Sequence, residues 1–104
     1  MDGKVITRVW HGRTLATDAD RYLEFLIQTA VPDYSNTRGN ISVELWRRVE
    51  GDICHFYTVT KWDDYDSIRN FAGEDIAVAK YYPEDSKYLL EYEDNVIHCE
   101  TYTF

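Results

Sequence analysis

Cysteine is scarce in this chain. Only Cys54 and Cys99 occur, far apart and without CxxC spacing, which argues against both a disulfide scaffold and a zinc or dithiol site. That usage suits a reducing, cytoplasmic setting. Two prolines and five glycines leave no linker-like stretch, and no repeat or low-complexity tract divides the sequence. No apolar run approaches the ~18–20 residues that a membrane-spanning helix needs, so no membrane partner is expected. The polar start Met1-Asp2-Gly3-Lys4 does not read as a signal peptide. Basic residues are outnumbered, 11 against 19 acidic ones, for a formal charge of −8. The average field therefore repels phosphate, and nothing longer than Arg47-Arg48 offers a basic patch, so no nucleic acid is expected as a partner. Also missing are a glycine-rich phosphate loop, a GxSxG elbow and an HExxH helix.

Aromatic rings are what the sequence has in excess: they make up 15% of 104 residues, with nine tyrosines among them. A chain of this length forms one domain, 1–104, and with 44% hydrophobic residues it can build a core. So many rings line a ligand pocket, a subunit interface, or both.

Val5 to His11 is rich in β-branched residues and reads as a strand stopping at Gly12. Thr17 or Asp18 caps a helix, with Tyr22, Leu23, Phe25, Leu26 and Ala30 at helical spacing until Pro32. Pro32 to Asn40 reads as a loop. Ile41–Trp46 and Ile53–Trp62, joined by a turn at Glu50-Gly51-Asp52, form a hairpin. Asp63 or Asp64 then caps a helix carrying Ile68, Phe71 and Ala72 before Gly73. A second helical run is expected near 75–80, another turn around Leu89 and Leu90, and a last strand from Val96 to Tyr102. The order βαββαβ defines an α+β, ferredoxin-like domain with a four-stranded antiparallel sheet. Parity puts Val5, Val9, Val43, Leu45, Tyr57 and Val59 on one face and Ile6, Trp10, Trp46, Phe56 and Trp62 on the other. Helices on one side cover one apolar face. A second copy is expected to cover the other, giving a homodimer through facing sheets.

Candidate chemistry is diffuse. His11, His55 and His98 all fall in strands, where a structural hydrogen bond is the ordinary role. His11 stands out because it ends a strand beside Trp10 and Gly12, where pockets form. A metal set of His11, His98 and Glu100 has suitable donors but no ligand spacing, and no metal is expected. Trp62 followed by Asp63-Asp64 is either a buried ring before a helix cap or, with Phe71, a pocket wall. Tyr81-Tyr82-Pro83-Glu84-Asp85 reads as a lid or rim, or else as ordinary packing; Tyr34 has the same two readings. Asp75 and Asp85 become bases only if buried. Arg8, mid-strand, must pair or line a polar cavity, with Glu44 and Glu100 as candidate partners and pairing the favoured reading.

Val5–His11, the following helix, the hairpin ending Thr58-Val59-Thr60-Lys61-Trp62-Asp63, and Ser67-Ile68-Arg69-Asn70-Phe71 together resemble the antibiotic biosynthesis monooxygenase domain family over nearly the whole chain. The stretches VWHG, VPDY, FAGED and YYPED are similar to an uncharacterised bacterial subgroup of it. The resemblance implies a dimeric α+β barrel and a pocket between sheet and helices. It implies a monooxygenase-like protein acting on, or binding, a flat aromatic or quinone-like compound without a cofactor. In that reading His11 or Asp85 is the catalytic base, while Trp10, Tyr34, Trp62, Phe71 and Tyr81 surround the substrate. A non-catalytic module binding a small hydrophobic ligand is the alternative, and would need a cavity of ~300 Å³. Haem binding or degradation is a second alternative. There, Phe71 and Tyr81 stand where haem-degrading relatives carry a Trp and an iron-ligating His.

Overall fold

In a computed structural model, which describes residues 5–104, the chain forms a four-stranded antiparallel sheet of order β2-β3-β1-β4 with its helices on one side. The polar start at Met1–Lys4 lies outside the described residues. The strands are β1 (Val5–Leu15), β2 (Asn40–Glu50), β3 (Ile53–Trp62) and β4 (Ile97–Thr101). Central β1 and β3 are joined from Ile6↔Trp62 to Leu15↔Ile53, while β4 lies outside β1. The α+β, ferredoxin-like arrangement expected from the element order is present.

Several boundaries differ from expectation. β1 does not stop at Gly12 but runs on to Leu15, because β3 offers a paired backbone along the whole stretch. The helix does not end at Pro32. It runs as α1 (Ala19–Phe25), a π-helical turn (Leu26–Ala30) and α2 (Val31–Ser35). Proline clashes with the carbonyl four residues earlier in a regular helix. The wider π turn relieves that clash, leaving Pro32 in the first turn of α2, where its missing N–H is harmless. The loop shrinks accordingly to the residues between Ser35 and Asn40. α3 (Tyr65–Ala72) is capped as expected, with the Asp64 carboxylate accepting from the Ser67 N–H at 2.8 Å. The helical run near 75–80 is absent, and the turn expected around Leu89-Leu90 lies earlier, closing on Leu89, whose N–H donates to the Asp85 carbonyl at 2.9 Å. Residues 73–96 form an irregular segment held by a 3₁₀ turn (Pro83–Lys87) and one bridge, Val78↔Asn95.

Register decides the faces. β1 pairs with β3 even-to-even (Ile6↔Trp62), but β2 pairs with β3 even-to-odd (Trp46↔Tyr57). Val43 and Leu45 therefore join Ile6, Trp10, Phe56 and Trp62 beneath the helices. Trp46 joins Val9, Tyr57 and Val59 on the open face, opposite to the parity grouping. Ile6, Phe56, Trp62, Tyr22 and Ile68 are fully buried between the layers. The open face is mixed: Trp46 and Ile97 are 51% and 61% exposed, but polar groups stand among them.

Candidate functional site

A narrow crevice lies between the sheet and the helices, covered by the 73–96 segment. Trp10 of β1 and Thr58 of β3 form its floor; Tyr22, Leu26 and Tyr34 line the helical side; Tyr82 and Asp85 close it. Gly12 shapes the floor, since a Cβ there would collide with the Trp10 ring and press on Leu89. A bare backbone two residues on lets the indole lie along the strand.

Asp85 is 2% exposed. Its carboxylate accepts from the Tyr22 hydroxyl at 2.9 Å and from the Tyr82 backbone N–H at 2.6 Å. Burial raises its pKa above the ordinary carboxylate value, partly opposed by those two bonds. Tyr22 is pushed well up, first by burial and then by the Asp85 charge. Tyr82, donating to Asp33 at 2.6 Å, and Tyr34, beside Thr58 at 3.1 Å, are raised mainly by burial. Lys80 also binds Asp33, at 2.9 Å. Burial would raise Asp33, but the bonds from Tyr82 and Lys80 and the ammonium charge outweigh it and hold the carboxyl below its usual range. The phenols thus stay protonated hydrogen-bond donors, while Asp85 is the carboxylate made more basic.

The residues singled out in the sequence fall in three places. Trp10, Tyr34 and Asp85 meet at the crevice. Tyr81 stands behind Trp10, whose indole N–H donates to its hydroxyl at 3.3 Å; that hydroxyl donates onward to the Glu93 carbonyl at 2.6 Å. Trp62 and Phe71 form the layer beneath Tyr34, with Tyr34 stacked on Phe71 at 4.3 Å between ring centres and Trp62 bonded to Thr60 at 2.8 Å. His11 lies on the opposite face because side chains alternate along β1. There it stacks on His55, 2.9 Å between ring nitrogens. Glu93 accepts from His11 at 2.5 Å, and His55 meets Glu50 at 3.0 Å. His98 is the strand partner of Arg8 on the helix side, so alternation keeps it apart from His11.

Arg8 departs from the expected pairing. It is 1% exposed, yet no carboxylate reaches it among the described residues. Glu44 is opposite Val59, on the open face. Sequence reasoning missed Tyr22 and Lys80, whose spacing carries no chemical signature, and the partners His55, Glu50 and Glu93, which only register and the 73–96 path bring together.

The crevice is tight, about 10 Å³, room for about one water and far short of the ~300 Å³ of a preformed ligand pocket. A shallow 270 Å³ groove between α1 and the 3₁₀ turn is lined by solvated Arg21, Glu24, Gln28 and Glu84. Among the described residues no cluster suits a metal ion, and no helix is long and apolar enough to cross a membrane.

No protein-family profile and no curated protein matches the sequence. Solved structures do match the fold. A candidate antibiotic biosynthesis monooxygenase from Nitrosomonas europaea superimposes with a TM-score of 0.67 at 8% identity, over 97% of this chain and 93% of that one. Another, from Bordetella bronchiseptica, gives 0.66 at 16% identity, over 96% and 99%. A haem-degrading protein from Mycobacterium tuberculosis, solved without haem, gives 0.62 at 13%, over 99% and 97%. The chain therefore has the fold of the antibiotic biosynthesis monooxygenases.

Proposed function

We propose that this protein is a cofactor-independent, monooxygenase-like small-molecule protein working as a homodimer. Its substrate is a flat, electron-rich phenolic or quinone-like compound, taken into the crevice when the 73–96 segment swings away. The observation that carries this reading is the convergence of Asp85, buried and raised in basicity, with the rings of Trp10, Tyr34 and Tyr82. Asp85 takes the phenol or enol proton and the electron pair stays on the substrate oxygen. The resulting anion, made electron-rich by desolvation, reduces O₂. Net, a CH₂ group becomes C=O, one oxygen atom of O₂ entering the product and the other leaving as water with the two hydrogens. The Tyr34 hydroxyl, with Thr58 as the donor of the bond they share, supplies a donor toward the developing charge. His11, on the far face, is assigned no proton transfer.

The test is oxygen uptake with an anthrone substrate. Wild type should consume one O₂ per quinone formed, and Asp85→Asn should slow turnover roughly 100-fold or more. His11→Ala should leave it within a few-fold. No uptake by wild type, with a ligand co-purifying in native mass spectrometry, favours the non-catalytic binding module instead.

The haem alternative rests on the fold shared with the haem-degrading protein. The residues here do not fit haem: Tyr81's hydroxyl is committed to Glu93 and burial raises its pKa, while Phe71 is a buried packing ring. Hemin titration should leave a flat Soret region.

A further inference from the structure

A guanidinium buried without a counter-charge is strongly unfavourable, so its persistence asks for a partner. Arg8 is in that position. One of its terminal nitrogens donates to the Val78 carbonyl at 3.2 Å, and its charge sits 5.5 Å from the centre of the Phe71 ring. Its Nε has no partner at all, and neither does Nε2 of His98, the residue directly across the β1–β4 ladder. Lys80 lies over the same Phe71 ring at 4.4 Å, but Asp33 neutralises it. Arg8 is thus the unbalanced charge of this layer. It stands two residues from Trp10 on the same face of β1, directly beside Tyr34, the crevice wall stacked on Phe71.

We infer that the crevice selects ligands that are anionic when bound, with Arg8 as the specificity-determining counter-charge. This rests on the crevice being the functional site, and adds the charge class of what it takes: an aromatic carboxylate, or a phenol or enol bound as its anion. Asp85 and Arg8 then divide the work. Asp85 receives the proton at the Tyr22 end, and Arg8, donating its free Nε–H, holds a second oxygen that shares the resulting charge by conjugation at the far end of the ligand. His98 Nε2 can donate to the same oxygen in its Nε2–H tautomer.

The experiment compares 2-naphthoate with 2-naphthamide, a flat pair differing mainly in charge, by quenching of tryptophan fluorescence. Wild type should bind the carboxylate at least tenfold more tightly than the amide. Arg8→Met should abolish that preference, and Arg8→Lys should retain part of it. Arg8→Met should melt at or above the wild-type temperature, since it replaces an unbalanced buried cation with an apolar chain of similar length. Equal affinity for the two probes, binding of neither, or a preference that survives Arg8→Met overturns the inference. Should Arg8→Met fail to fold, the wild-type comparison and Arg8→Lys still decide. Carboxylate preference without oxygen uptake leaves the inference standing and removes the oxygenase reading; uptake without charge preference does the reverse.

Discussion

Gly12 is a position where one hydrogen atom in place of a methyl group determines the shape of the site. Its backbone is extended, so the requirement is space for the Trp10 ring and Leu89, not an unusual φ. Gly12→Ala should lower stability by about 1–3 kcal/mol through overpacking and shift the tryptophan emission as the indole is displaced, which denaturation followed by fluorescence will show. His98 works through protonation. Burial, and then the charge of Arg8, lowers its pKa in the fold. The unfolded chain therefore takes up the proton first as pH falls. The contribution to stability is complete above the ordinary histidine value of about 6.5 and is lost as pH drops through the lower folded value. Asp33, also held low, extends the loss at more acidic pH, beginning near the ordinary carboxylate value. His98→Gln should flatten the decline that sets in below about pH 6.5, read from chemical denaturation at several pH values; an unchanged slope would refute the assignment.

At the scale of elements, α2 and α3 are held to the sheet by a stack of rings. Phe71 is sandwiched by Tyr34 and approached by Lys80, with Trp62 beneath. Phe71→Ala opens a cavity between two helices and the sheet, and should cost about 3–5 kcal/mol, a large share of a small domain's stability. A melting temperature within a degree or two of wild type would mean that the layer collapses freely. The hairpin and α3 were legible in advance because Gly51 and Asp64 mark a turn and a cap through local chemistry. The passage of the helix through Pro32 was not, since a local proline clash can be answered by ending the helix or by a π turn, and packing of the helix on the sheet selects the second. Nor did residues 73–96 reveal their path, because their order comes from distant partners such as Asp33 and Arg13.

For the whole molecule, the question is what lies against the open face. Trp46 and Ile97 stand on its outer strands, with Val9, Tyr57 and Val59 between. The proposed second copy, covering about 1,200–2,000 Å² in total, would give these side chains an apolar setting. The His11–His55 pair and its carboxylates would lie beside that seam. Sedimentation should show a dimer at micromolar concentration, and Trp46→Glu combined with Ile97→Glu should give monomers that remain folded. A wild-type monomer would remove the dimer from the functional proposal.

Alternation of side chains, turn residues and helix caps act over a few neighbours, so the order of strands and helices, and the presence of two faces, could be read directly from the chain. Which residues share a face depends on the register between strands, and that is set by cross-strand pairing along β1, β2 and β3. Only this pairing separated His11 from Asp85, turned Trp46 outward and left Arg8 buried without a carboxylate. Charges and rings far apart in sequence meet through packing, and the character of the site is fixed there.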